Sequence, residues 1–324
     1  MRTHFLSGRP RFGRWIFTTV TVLLFISSRL LQAQEVPARS VAFTIDDLPT
    51  VRGLDLVSTE GVTLQILEAL QVNDIPAIGF VNESKLNVPG ERAIRAGLLA
   101  AWLEAGYELG NHSYSHKWFY ETPTALFLED VIKGEKVTTK LLEDRGLRLR
   151  YFRHPRLNTG PNAAARAQFE AFLEGRGYDI APVTIDNDEF IYALAYHKAH
   201  LADDKELMGR IGRDYIRYMA EVFHFYEQYS IRIIGREPSQ ILLIHANRLN
   251  ADYIGQLAGM LRIRGYAFVS LGEALNDPAY ELADTYIGRK GLSWIQRWAH
   301  TLGKEVETQP GLPSWVNEVA WQED

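Results

Sequence analysis

Short apolar runs alternate along this chain with stretches in which apolar residues recur every three or four positions. Val41–Ile45 is β-branched and aromatic and predicts a buried strand. Thr59–Val72 sets Val62, Ile66, Leu67 and Leu70 on one face, which is helical spacing, and Ser58 or Thr59 can cap its start. Further strands are expected at Pro76–Val81, Tyr107–Gly110, Leu149–Arg153, Asp179–Ile185, Ile241–Ile244 and Ala267–Val269. Helices are expected at Glu91–Ala105, stopped by Gly106, and at Thr122–Leu142, Asn162–Glu174 and Ala251–Ile263. Strand and helix alternate through about seven strands, which predicts an α/β fold with a parallel sheet or barrel.

Three regions depart from this rhythm. Residues 190–235 are aromatic-rich and helical in pattern, and read as a helical insertion. Its Tyr192, Tyr196, Tyr215, Tyr218, Phe223, Phe225 and Tyr226 would stand over the rim of the barrel, yet their helical spacing favours core packing. Residues 286–324 carry Trp294, Trp298, Trp315 and Trp321 and predict a helix packed on the barrel with a loose end. At the other terminus, Arg2, Arg9, Arg11 and Arg14 precede an apolar run of 12 residues, Trp15–Ile26, and small residues near Ala33. A membrane-spanning helix needs roughly 20 residues. Residues 1–33 therefore read as a secretory signal, cleaved after Ala33, rather than an uncleaved anchor. That places the mature protein in the periplasm or outside the cell, with no stable membrane partner. Residues 34–324 contain no Gly/Ser/Pro-rich linker and read as one catalytic domain.

Composition narrows the function classes. A hydrophobic content of 46% is too high for disorder as the main state. The net charge of −5 becomes −10 once the five Arg of residues 1–33 are removed, leaving 30 basic against 40 acidic residues. Such a surface does not suit a nucleic-acid partner. Cysteine is absent, which removes disulfides, thiolate ligands and cysteine nucleophiles together. Any metal must be held by histidine and carboxylate.

Reactive residue types gather where the predicted strands end, the rim at which parallel barrels build active sites. Asp46 and Asp47 follow the first strand. Adjacent carboxylates are costly to ionise together, so they suggest either a metal with a free base beside it or an ordinary turn before Pro49. His112 and His116 follow the third strand, as two ligands on one helical turn or as two polar loop residues. Arg153 could set the pKa of a nearby carboxylate or form a structural ion pair. Asp186 begins an acidic loop and could orient a histidine. His245 ends the Ile241–Ile244 strand and suits a general acid. His197, His200, His224 and His300 suit packing or surface roles, and Arg153 is a better candidate than His154.

Taken together and in order, TIDDLP, HSYSH, RHPR, DNDEF and LIH resemble the five motifs of the NodB-type polysaccharide deacetylases, carbohydrate esterase family 4. The resemblance spans residues 40–275. It implies an irregular (β/α) barrel and a hydrolase that removes N-acetyl groups from amino-sugar glycans of the peptidoglycan or chitin type. It implies that Asp47, His112 and His116 bind a divalent metal, usually zinc. It makes Asp46 the general base paired with Arg153, and His245 the general acid oriented by Asp186. The backbone N–H of Arg156 matches a position that helps hold the oxyanion. Leu48, Ile45, Arg156, Glu189 and Phe190 depart from the family pattern, and the resemblance implies that such positions line the sugar pocket. They leave open a different amide, an O-acetyl ester of the acetylxylan type, or a silent glycan-binding protein.

Overall fold

The structure, a computed structural model, describes Met1 and residues 39–51 and 54–322. The expected signal segment, Met1 apart, lies outside the described residues. Strand β1 (Arg39–Leu48) is buried almost throughout and is the centre of a seven-stranded parallel sheet. Beside it lie β2 (Ala77–Val81), β3 (Glu108–Asn111), β4 (Tyr151–Phe152) and β5 (Asp179–Ile180) in succession. β6 (Gln240–His245) pairs with β1 from Val41 to Asp46, and β7 (Tyr266–Phe268) pairs with Arg39–Val41. Ile185 makes a parallel bridge to Leu242 of β6. The chain beyond β5 thus meets the far side of β1, and the sheet curls into the irregular (β/α) barrel expected from the motifs.

Helices cover the strand connections. They are α1 (Leu56–Val72), α2 (Arg92–Glu104), α3 (Thr124–Lys133), α4 (Lys136–Glu143) and α5 (Ala163–Gly175). After β5 come α6 (Glu189–Leu201) and α7 (Lys205–Ile234), then α8 (Arg248–Ile263), α9 (Leu271–Ala274), α10 (Trp294–Thr301) and α11 (Ser314–Trp321). Among the described residues no helix is long and apolar enough to cross a membrane.

Several expectations are corrected. Asp55, not Ser58 or Thr59, caps α1: its carboxylate accepts the Ser58 N–H at 2.7 Å. The helix expected over Thr122–Leu142 is two helices parted at Gly134. A Cβ on Gly134 would lie 2.4 Å from the Tyr114 backbone nitrogen, so the break lets the chain press against the loop after β3. The strand expected over Asp179–Ile185 pairs only at Asp179–Ile180 and again at Ile185.

In the insertion, Tyr192, Tyr196, Tyr215, Tyr218, Phe223 and Tyr226 are buried, which is the core role that their spacing favoured. The described part of the tail is packed by two helices rather than one: Val316 and Ala320 of α11 are buried, Trp298 is buried in α10, and Trp294 N–H donates to Val183 O at 2.7 Å. Leu48 and Ile45 are fully buried and do not line the cleft, contrary to the expectation for altered motif positions. Leu48 fills space opposite Gly79, where a Cβ would come within 2.3 Å of it. The substitution is therefore a matter of packing.

Candidate active site

The C-terminal ends of β1, β3, β4 and β6 open onto one cleft of about 670 Å³. Asp46 and Asp47 come from the end of β1, and Asp46 lies in register with His245 of β6. Asp47, Ser113 and His116 all adopt positive φ, at 76°, 62° and 58°. Non-glycine residues there cost roughly 1–3 kcal/mol each, and they persist where surrounding contacts hold them for a purpose.

Those contacts are specific. Asn82 Nδ2 donates to His112 O at 2.6 Å, and Asp130 accepts the Ser115 N–H at 3.0 Å and its hydroxyl at 2.7 Å. Gly134 presses on the same loop from behind. His112 Nδ1–H donates to Arg153 O at 2.9 Å, which leaves Nε2 as a lone-pair donor.

Asp47, His112 and His116 each offer a ligand atom, and these atoms lie within 4.8 Å of one another. The three groups fit a divalent metal by charge as well as by position. Burial pushes both imidazoles down to about 3, so both rings are neutral at ordinary pH. Burial alone would raise Asp47, but the Lys85 ammonium at 3.0 Å, with His245 beyond it, outweighs burial and holds the carboxyl well below the usual range. Two neutral imidazoles and one carboxylate form a ligand set that leaves positions open for water and substrate.

Asp46 is buried beside this cluster. Burial raises its pKa, and Arg153 opposes that rise from 3.6 Å. Arg153 is itself fully buried, donating to Ala181 O and Thr44 Oγ1 at 2.9 Å each. Asp46 Oδ1 is buried with no hydrogen-bond partner, as suits a group whose partner is water or substrate.

His245 lines the same cleft from the strand next to Asp46, and its partner corrects the expected one. Glu189, not Asp186, orients it: Nδ1 lies 2.8 Å from Glu189 Oε2. Glu189 is fully buried, and its other oxygen accepts from Asn247 and Asn250. Asn250 is held in turn by the Tyr215 hydroxyl of α7 at 2.9 Å. Burial would lower His245, but Glu189, with Asp47 and Asp46, raises it to about 9. Asp186 lines the cleft instead, where burial raises it to about 6. Sequence reasoning had a signal for Glu189, since it stands where the family motif carries its second acid.

Other placements follow. Arg156 and Phe190 are the departures from the family pattern that line the cleft. His154 is buried with no partner for either ring nitrogen, a packing role beside Phe152 and Phe169. His197 lines the cleft from α6, contrary to the bland role expected of it. Lys85 and Asn250 carried no sequence signal, because the partners that tie them to the site, Asp47 and Glu189, lie far away along the chain.

One rim of the parallel barrel thus carries an Asp-His-His cluster that could hold a metal ion, a buried carboxylate and a histidine paired with a buried glutamate. Residues 33–171 match the family model described as polysaccharide deacetylase. The match contains Asp46, Asp47, His112, His116 and Arg153 and stops before Glu189 and His245. Among solved structures, the chain is similar to the peptidoglycan deacetylase PdaC from Bacillus subtilis. The two share 20% identity at a TM-score of 0.45, over 74% of this chain and 91% of that one. It is also similar to a family 4 carbohydrate esterase from Streptomyces lividans in complex with acetate, at 20% identity and a TM-score of 0.44, over 73% and 95%. A third is BA3943, a CE4 family pseudoenzyme from Bacillus anthracis, at 17% and 0.45, over 74% and 66%. A comparison with curated proteins finds no match.

Proposed function

We propose that this chain is an exported, metal-dependent deacetylase that removes N-acetyl groups from amino-sugar glycans of the peptidoglycan or chitin type. One observation carries the reading: the three-ligand cluster, the buried Asp46 and the Glu189-bound His245 share a single cleft. Asp47, His112 and His116 would hold the ion, with zinc favoured by the two imidazoles and one carboxylate. When bound, the ion polarises the amide carbonyl and makes water more acidic.

The chain's own residues do the rest. Asp46 takes a proton from the attacking water, and Arg153 fixes the carboxylate and balances its charge. The water oxygen bonds to the acyl carbon, and the C–N bond then breaks. His245, charged at neutral pH because of Glu189, gives its proton to the departing nitrogen. The Arg156 backbone N–H is the proposed oxyanion donor.

The protonated His245 favours an amide over an O-acetyl ester, since an amine is the poorer leaving group and needs the proton more. A silent binding protein would need neither the base nor the acid. The exported location rests on the Arg-rich start and apolar run of residues 1–33. The test is acetate release from N-acetylglucosamine oligomers by zinc-loaded protein beginning at residue 34. Release that ceases with chelator supports the proposal, and zinc-loaded protein that releases none refutes it.

A further inference from the structure

We propose that the cleft also binds an apolar group carried by the amine half of the substrate, such as an alkyl or aryl aglycone on the amino sugar. This rests on the deacetylase reading and extends it.

Helix α6 is apolar on two faces. Tyr192, Ala195, Tyr196 and Ala199 bury one face in the core. Phe190, Ala193 and Leu194 put a second apolar face along the cleft, and Phe190 is 48% exposed. Ala193 and Leu194 are partly buried against the core and turn their remaining surface to the cleft, whereas Phe190 stands clear of it. Val51 and Leu54 bring further apolar surface to the same cleft. Exposed apolar surface gathered at a reactive centre gains free energy only when a ligand covers it. An acetyl methyl covers little of it, and sugar hydroxyls find few partners on these side chains.

The direction of the wall decides which half of the substrate it meets. α6 starts at Glu189, the residue that holds His245, and His245 must stand against the departing nitrogen. From Phe190 to His197 the helix advances about 10 Å away from that point. A group lying along it is joined to the nitrogen side of the amide.

The experiment compares octyl and methyl N-acetyl-β-glucosaminide, below the micelle concentration of the former. The expected kcat/KM for the octyl compound exceeds that for the methyl compound by about tenfold or more, since several methylenes leave water. Leu194→Asn should narrow that ratio several-fold. A ratio near one, or a ratio that Leu194→Asn leaves unchanged, overturns the proposal. If neither glycoside is deacetylated, the deacetylase reading has failed, and calorimetric binding of the two compounds then decides. Octyl binding at least about tenfold tighter, weakened by Leu194→Asn, supports the apolar subsite; equal binding overturns it.

Discussion

Glu189 controls the acid of the proposed reaction through one hydrogen bond and one charge. Burial works to discharge His245, and the carboxylate beside Nδ1 more than reverses it, to about 9. Glu189→Gln removes the charge and keeps the size. The His245 pKa then falls toward its ordinary 6.5 or below. A ring with a raised pKa is charged below that pKa, so the alkaline limb of a kcat profile should move to lower pH by about two units. At pH 7.5, kcat should drop about tenfold. An unchanged alkaline limb would show that another group donates the proton. Asn250→Ala should move the limb much less, because Asn247 still donates to Glu189 Oε1 and the carboxylate keeps its charge.

The residues legible in the sequence were those at which strand end and chemistry coincide. Asp46, Asp47 and His245 close short apolar runs, His112 and His116 follow the end of β3, and the structure brings all five to one rim. The choice between Asp186 and Glu189 was not legible, because it depends on where α6 begins. The helix starts at Glu189 and turns its side chain inward to His245, while Asp186 remains on the strand side of the turn. Lys85 was invisible for a different reason: its ion pair to Asp47 closes a long loop that no local pattern records.

At the scale of elements, the break between α3 and α4 does the positioning. Gly134 lets that corner approach the loop that carries both histidines, and Asp130 of α3 ties Ser115 to it. Gly134→Ala places a methyl group into the Tyr114 backbone and should cost about 1–3 kcal/mol of stability, read as a lowered midpoint in denaturant. It should also weaken zinc binding, measured by calorimetry, more than an exposed helical Gly→Ala such as Gly97→Ala, where a Cβ meets nothing. Equal zinc affinity in the two variants would remove Gly134 from the positioning of the site. The apolar period alone could not reveal this break, since Thr122–Leu142 keeps helical spacing on both sides of the glycine. The tyrosines of α6 and α7 were legible as core from their spacing. That one of them, Tyr215, supports Asn250 and through it Glu189 was not, because the contact joins α7 to α8.

At the scale of the molecule, the charge of the chain divides unevenly. The five Arg of residues 1–33 leave the remainder at −10, so long-range attraction does not draw it to anionic polymers. Substrate choice falls to short-range contacts in the cleft, where α6 supplies an apolar wall and Arg156 a cation. If residues 1–33 direct export, mass spectrometry of the secreted protein should find a chain starting at Gln34. An intact Met1 would contradict the cleaved signal.

The central claim is that a metal held by Asp47, His112 and His116 drives amide hydrolysis in this cleft. Its most direct test follows acetate release from N-acetylglucosamine oligomers together with bound zinc, in the wild type and in His112→Ala. The account predicts about one zinc per chain and chelator-sensitive release in the wild type, with both lost in the variant. Release that persists in metal-free protein or in His112→Ala would contradict it.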